Sequence, residues 1–173
     1  PVKLTEDGPD MDAVEEYVKD ETVKGIWCVP KYTNPDGYTY SDETVRRLAA
    51  LKPAAEDFHI FWDNAYAVHD LYGDGDKLLG IYKECEKNGN ADMPILFAST
   101  SKITFPGDGV SAVAASEKII ALIKNRISYQ TVGPDKMNML RHARFLPDMA
   151  AVKEQMKKHA ELIRPKFETV LSA

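Results

Sequence analysis

The sequence predicts a three-layer α-β-α fold with a mainly parallel sheet, one antiparallel strand and an all-helical tail. Three apolar runs, each followed by polar residues, alternate with segments of helical periodicity. The runs are nearly continuous in apolar residues, which is typical of strands covered on both faces. From residue 135 onward only helical patterns remain, so we expect no strand there.

The composition indicates a globular chain and argues against nucleic-acid and membrane partners. The 173 residues are 44% hydrophobic and 28% charged, with a net charge of −5, so they can bury a core but offer no positive field. No apolar run is long enough to cross a bilayer. Cys28, Cys85 and the four histidines show no metal-ligand spacing. We therefore expect buried free thiols, no metal and a reducing cytoplasmic location.

The first part of the chain predicts helices and strands in alternation. Asp10 is placed to cap a helix, and residues 23–29 follow as an apolar strand. Ser41 then precedes a second helix that has acidic residues in its first turn. Trp27 in the first strand and Trp62 in the second are both expected in the core.

The later part predicts two more strands and then the tail. Residues 94–98 form the third strand, and residues 110–115 form a fourth that follows a glycine-rich turn. The connection is too short for a helical crossover, so we expect this pair to be antiparallel. Ser116 caps the next helix, Pro134 begins another at its first position, and Asp148 caps a last one toward Pro165.

Polar side chains follow each of the three parallel strands. Asn34 comes after the first strand, Asp63 and Tyr66 after the second, and residues 99–102 (Ser-Thr-Ser-Lys) after the third. The carboxyl ends of parallel strands share one edge of the sheet, so these groups can converge. Hydroxyls there can hold a phosphate, and a lysine that loses solvent can act as a nucleophile. The set suits a phosphorylated heteroaromatic aldehyde.

Each of these residues also has an ordinary structural explanation. Asn34 precedes a proline and can be a turn residue, and Asp63 can cap a helix. Tyr66 can be a core residue with a bonded hydroxyl, and Ser99 can cap its own turn. Lys102 can be a solvated lysine. Taken one at a time, short motifs of this kind are weak indications of function.

Together, the three motifs resemble the signatures of fold-type I pyridoxal-phosphate aminotransferases. Residues 34–37 (Asn-Pro-Asp-Gly), 63–66 (Asp-Asn-Ala-Tyr) and 99–102 occur in the family's order and at its spacing. Residues 23–41, with their Trp-Cys-Val-Pro segment, are most similar to a bacterial aspartate aminotransferase branch. The resemblance covers residues 23–116 well and the tail less specifically.

The resemblance implies roles for the two residues on which the reaction class depends. Lys102 would form a Schiff base with the aldehyde of pyridoxal 5′-phosphate and, once displaced, would move the proton at the substrate's α-carbon. Asp63 would pair with the pyridine nitrogen and keep it protonated, which makes the ring an electron sink.

The remaining implied cofactor contacts involve the phenolate and the phosphate. Asn34 and Tyr66 would donate hydrogen bonds to the phenolate oxygen, and these bonds lower the Schiff-base pKa. Ser99 and Ser101 would hold the phosphate. The family commonly places an arginine where this chain has Val110. The phosphate would then depend on Ser99, on N–H groups of the turn 106–109, and on groups outside this chain.

Family members are considerably longer and form homodimers with the active site between subunits. The resemblance therefore implies that residues 1–133 are the later half of the pyridoxal-phosphate-binding large domain. Residues 134–173 would be a helical connection toward a small C-terminal domain. We expect an isolated segment of this kind to be inactive.

The implied function is transamination of an amino acid, with aspartate as donor and 2-oxoglutarate as acceptor. The same residues would serve a β-lyase or a decarboxylase of this fold equally well. An aminotransferase-like domain in a transcription regulator is a third alternative, against which the acidic charge argues.

Overall fold

Strands and helices alternate through the first two thirds of the chain in a computed structural model, which describes residues 1–73 and 75–173. The strands are β1 (Leu4–Thr5), β2 (Gly8–Pro9), β3 (Gly25–Cys28), β4 (His59–Asp63), β5 (Pro94–Ser99) and β6 (Ser111–Ala114). The helices are α1 (Met11–Tyr17), α2 (Asp42–Ala49), α3 (Ile81–Lys87), α4 (Glu117–Ser128), α5 (Lys136–Phe145) and α6 (Met149–Leu171). This mixed α/β architecture with a helical tail confirms the predicted fold class.

The main sheet has the strand order β3-β4-β5-β6. Neighbouring strands are parallel from β3 to β5, whereas β5 and β6 are antiparallel with Ser99 opposite Ser111. The antiparallel fourth strand is therefore confirmed. A small antiparallel pair, β1 with β2, was not predicted because two-residue strands carry no periodicity. The parallel pairing brings the carboxyl ends of β3, β4 and β5 to one edge.

The hydrophobic core lies on one face of this sheet. Cys28 and Trp62 are paired across β3 and β4, and with Ile60 they are almost completely buried. Side chains of α1, α2 and α3 join them in one core cluster. Burial raises the pKa of both the Cys28 and Cys85 thiols to about 12. Both cysteines are free and buried, as predicted.

The opposite face carries a stack of three aromatic side chains. The Trp27 ring lies 5.5 Å from that of Phe61 and 5.7 Å from that of Phe97, centroid to centroid. Trp27 is nevertheless 61% exposed. The prediction of a core tryptophan is therefore right for Trp62 and wrong for Trp27, because alternation along β3 turns Trp27 away from the core cluster.

Four predicted helix caps are confirmed. The side chains of Asp10, Ser41, Ser116 and Asp148 each accept a hydrogen bond from a backbone N–H in the first turn of α1, α2, α4 and α6, respectively. These bonds satisfy N–H groups that have no partner within the helix. The starts of these helices are thus determined by local side-chain chemistry.

Two details of the tail differ from the prediction. The cap of α5 is Asp135, which accepts from Met137 and Asn138, so Pro134 precedes the cap. Helix α6 continues through Pro165, where the Thr169 hydroxyl donates to the Pro165 carbonyl at 2.8 Å. In the described part of the chain, every helix is too short or too polar to span a bilayer.

We predict that Ser41→Ala lowers the free energy of unfolding by about 1 kcal/mol, because the Thr44 N–H then loses the acceptor that caps α2. Ser41→Asp is the matched control and should stay close to the original stability, since aspartate is an equally good cap. Urea unfolding of the three proteins measures both effects. Equal losses in the two variants would show that the cap is not what Ser41 contributes.

Candidate functional site

The predicted site residues of the second and third strands lie at neighbouring strand ends. Asp63 is the last residue of β4 and is paired with Phe97 of β5. Phe97 lies two residues before Ser99, which ends β5. The Asn64 N–H continues the pairing by donating to the Phe97 carbonyl at 2.9 Å. Asp63 and the hydroxyl segment therefore lie at the same edge of the sheet.

Lys102 and Tyr66 are in direct contact. The Lys102 Nζ lies 4.9 Å from the centroid of the Tyr66 ring, a cation–π distance. The two residues belong to different loops, so only the folded sheet brings them together. Lys102 is exposed in this chain, which differs from the expectation that it loses solvent. The reason is that it lies in the turn after β5 rather than within the sheet.

Ser99 and Ser101 form a hydroxyl pair beside this lysine. Their Oγ atoms are 2.9 Å apart, and the Ser101 N–H donates to Ser99 Oγ at 3.1 Å. Ser99 thus also caps its own turn, as the ordinary explanation holds. Gly109 packs against this pair so closely that a Cβ there would lie 2.1 Å from Ser101 Oγ. One hydroxyl hydrogen joins the two serines, and the other can be donated to an anion.

Hydrogen bonds connect the segment around Val110 to the turn after β5 that carries Lys102, called here the lysine turn. The Thr100 N–H donates to the Val110 carbonyl at 3.0 Å, and the Val110 N–H donates to Thr100 Oγ1 at 2.8 Å. Within the turn 106–109, the Asp108 N–H donates to the Phe105 carbonyl. Because the Asp108 N–H is already used within the turn, the turn offers fewer N–H groups to a phosphate than the sequence suggested.

Asn34 lies in a tight loop after β3. The Asn34–Pro35 peptide bond is cis, and Gly37 has a φ of +77°, a value that favours glycine. The Thr33 N–H donates to the Tyr38 carbonyl, and the Tyr38 N–H donates to Thr33 Oγ1, each at 2.9 Å. Asn34 is exposed at the tip of this loop. The turn interpretation of Asn34 and its implied cofactor role are compatible.

Two histidines that the sequence did not mark as functional hold the Lys102 turn. His69 Nε2 lies 3.3 Å from the Lys102 carbonyl, and the His69 ring packs edge-on against Tyr66 at 5.5 Å. From α5, His142 Nε2 lies 2.9 Å from Thr100 Oγ1 and 3.1 Å from Thr104 Oγ1. These contacts join residues that are distant in the chain, so no spacing rule could have found them.

The comparisons with known proteins agree with this geometry. The family described as aspartate amino-transferase matches the whole chain, residues 1–173. A Mycolicibacterium smegmatis protein named only as an aminotransferase is 49% identical over 171 residues, which are 98% of this chain and 40% of that protein. The aspartate aminotransferase of Corynebacterium glutamicum is 44% identical over 170 residues, or 98% of this chain and 39% of the relative.

A solved structure shows the same fold. The crystal structure of an aspartate transaminase from Corynebacterium glutamicum has a TM-score of 0.95 and 44% sequence identity, and it aligns with 99% of this chain and 40% of its own. The chain spans about two fifths of the length of the relatives it matches. Sequence, sheet topology and strand-end residues lead to one conclusion: this chain belongs to the aspartate aminotransferase family.

Proposed function

We propose that the protein containing this chain is a pyridoxal-phosphate-dependent aminotransferase that uses aspartate as donor and 2-oxoglutarate as acceptor. The observation that carries the reaction class is the Lys102 amine beside the Tyr66 ring, next to the strand end occupied by Asp63. The choice of aspartate is supported by the similarity to the Corynebacterium glutamicum aspartate aminotransferase.

The side chains at the sheet edge fit pyridoxal phosphate chemically. When bound, the cofactor supplies an aldehyde that takes up an amine and a ring that withdraws electrons from bonds at the substrate's α-carbon. Lys102 is the amine that would hold the aldehyde carbon. The Asp63 carboxylate would face the pyridine nitrogen and keep its proton in place, which maintains the electron-withdrawing character of the ring.

The other predicted contacts would complete the proposed site. Asn34 and Tyr66 would donate hydrogen bonds to the phenolate oxygen, and the paired hydroxyls of Ser99 and Ser101 would bind the phosphate. Lys102, once released by the incoming amino acid, would take the proton from the α-carbon. It would deliver the same proton to the carbon next to the cofactor ring.

The proposal also assigns the chain a place in a larger protein. Residues 1–133 would be the later half of the large domain, and residues 134–173 would connect to a small C-terminal domain. The substrate carboxylates would be bound by residues outside this chain, in a cytoplasmic homodimer with the active site between subunits. With this arrangement, an isolated segment would not turn over substrate.

In its neutral form, His69 holds the turn that carries Lys102 in position. Burial lowers the pKa of His69, whereas its bond to the Lys102 carbonyl acts in the opposite direction. A carbonyl only accepts, so Nε2 carries the proton and donates it to Lys102. The Nδ1 atom is buried without a hydrogen-bond partner among the described residues. Protonation of Nδ1 in the folded state would therefore bury an unpaired donor.

We predict that Lys102→Ala in the full-length protein removes the visible absorption band of the bound cofactor and reduces transamination at least about a thousandfold, because the amine both holds the aldehyde and moves the proton. Lys83→Ala is the matched control, since Lys83 is an exposed lysine on α3. Absorption spectra and coupled activity assays measure both effects. Retention of the band in Lys102→Ala would exclude this lysine as the attachment point.

We predict that aspartate alone converts the bound cofactor to its amino form and that 2-oxoglutarate restores the original spectrum. Two successive half-reactions of this kind distinguish transamination from the chemistry of a lyase or a decarboxylase. Single-turnover spectra with each substrate added separately provide the test. Release of carbon dioxide, or of ammonia without recovery by the oxo acid, would refute the assigned reaction.

We predict that His69 makes the folded state less stable as the pH falls below about 6.5, its usual pKa. The unfolded chain takes up a proton there, whereas the folded chain does so only at lower pH because its His69 pKa is lowered. The stability loss should therefore grow from about pH 6.5 down to the folded pKa and then stop. In His69→Gln, urea unfolding should show a smaller loss over this range. An unchanged pH dependence would contradict the prediction.

A further inference from the structure

The carboxylate of Asp70 joins the two loops that carry Asn34 and Tyr66. Asp70 lies four residues after Tyr66. Its Oδ1 accepts hydrogen bonds from two residues of the loop after β3. The Lys31 Nζ lies 2.6 Å from this oxygen, and the Tyr32 hydroxyl donates to it at 2.7 Å. These two donors lie three and two residues before Asn34 in the sequence. Asp70 is therefore the point at which the two loops meet.

The Lys31 side chain is buried where it contacts Asp70. Only 8% of the residue is exposed, and its Nζ also lies 3.3 Å from the Ala67 carbonyl and 4.9 Å from the Tyr32 ring centroid. Asp70 is half-buried, with 32% of its side chain exposed. Removing one partner of such a pair leaves the other charge poorly solvated, so the contact is far more costly to break than a surface ion pair.

Tyr32 is held as tightly as Lys31. Its φ of +53° is unusual for a residue with a side chain and persists only where the surroundings fix it. Burial, reinforced by the nearby carboxylates of Asp70 and Asp76, raises the pKa of Tyr32 to about 12, so the phenol keeps its proton and donates it. The same hydroxyl oxygen accepts the Asp76 N–H at 3.1 Å.

Gly75 packs directly against this carboxylate. A Cβ at Gly75 would lie 2.1 Å from Asp70 Oδ1, and Gly75 has a φ of +62°. A glycine is therefore required there for two reasons, the close approach and the left-handed backbone. The Thr39 hydroxyl adds a second link between the loops by donating to Asp76 Oδ2 at 2.7 Å.

We propose that Asp70 is a positioning residue that, through Lys31 and Tyr32, fixes the distance between Asn34 and Tyr66 at the cofactor ring. This inference rests on the proposed function, in which both residues donate to one phenolate oxygen. Two donors on separate loops can serve one atom only if the loops are held in register. Asp70 thereby controls how strongly that oxygen is stabilised, although it does not touch the cofactor itself.

The expected consequence is a change in the titration of the bound cofactor. Weaker donation from Asn34 and Tyr66 makes the phenolate oxygen more basic, so the proton that it shares with the Lys102 nitrogen is held more firmly. In full-length protein loaded with pyridoxal phosphate, Asp70→Asn should raise the pH at which the visible band titrates by about one unit, a tenfold rise in proton affinity.

Variants of different severity keep this test decisive. Asp70→Asn retains the shape of the side chain and an acceptor for Tyr32 but removes the charge that pairs with Lys31. Tyr32→Phe removes a single hydroxyl and should shift the titration in the same direction by less. Asp57→Asn is the matched control, because Asp57 pairs with Lys24 at 2.7 Å on the exposed, opposite edge of the sheet, and it should shift nothing.

A second measurement separates this inference from the proposed function. In cofactor-free full-length protein, hydrogen exchange at the Tyr38 amide should accelerate at least about tenfold in Asp70→Asn, because the loop is released from its anchor. If exchange is faster in Asp70→Asn but the full-length protein is unable to bind pyridoxal phosphate, the proposed function is refuted and the loop contact stands. Faster exchange with an unchanged titration in both variants would overturn the positioning role, as would unchanged exchange.

Discussion

The parallel pairing of β3, β4 and β5 is the constraint on which the rest of the structure depends. Their backbone hydrogen bonds place Cys28 opposite Trp62 and Asp63 opposite Phe97. Because the side chains alternate, this register sends Cys28 and Trp62 into the core and places the loops after the three strands at one edge. A shift by one residue would turn the apolar side chains away from the core and displace the loops at that edge relative to one another. Core and site are thus specified by the same backbone pairing.

Much of this arrangement could be predicted because its causes are local. Helix caps such as Asp10 and Ser41 act on N–H groups two or three residues away, and the short connection to β6 indicated an antiparallel strand. The strand-end polar residues are also a local pattern, and the topology rule then places them at one edge. The position of Asp63 at the same edge as the loops that carry Tyr66 and Lys102 followed from these two steps.

The remaining features depend on contacts between distant parts of the chain. Trp27 looks like a core residue in sequence, but it lies on the face of β3 that points away from the core cluster and is 61% exposed. The bonds from His142 to the hydroxyls of the lysine turn and from Lys31 to Asp70 each join separate elements. A histidine or an aspartate without a metal-ligand pattern gives no sign in the sequence of which partner it will meet.

The contact of His142 with Thr100 and Thr104 has a mechanical consequence. His142 Nδ1 lies 2.9 Å from the Asn138 carbonyl one turn earlier in α5, so the imidazole is fixed to its own helix. Its other nitrogen, Nε2, lies within hydrogen-bond distance of the Thr100 and Thr104 hydroxyls, on either side of Lys102. His142 therefore couples α5 directly to the turn that carries Lys102, so a rotation of this helix would move the turn without a change in the sheet.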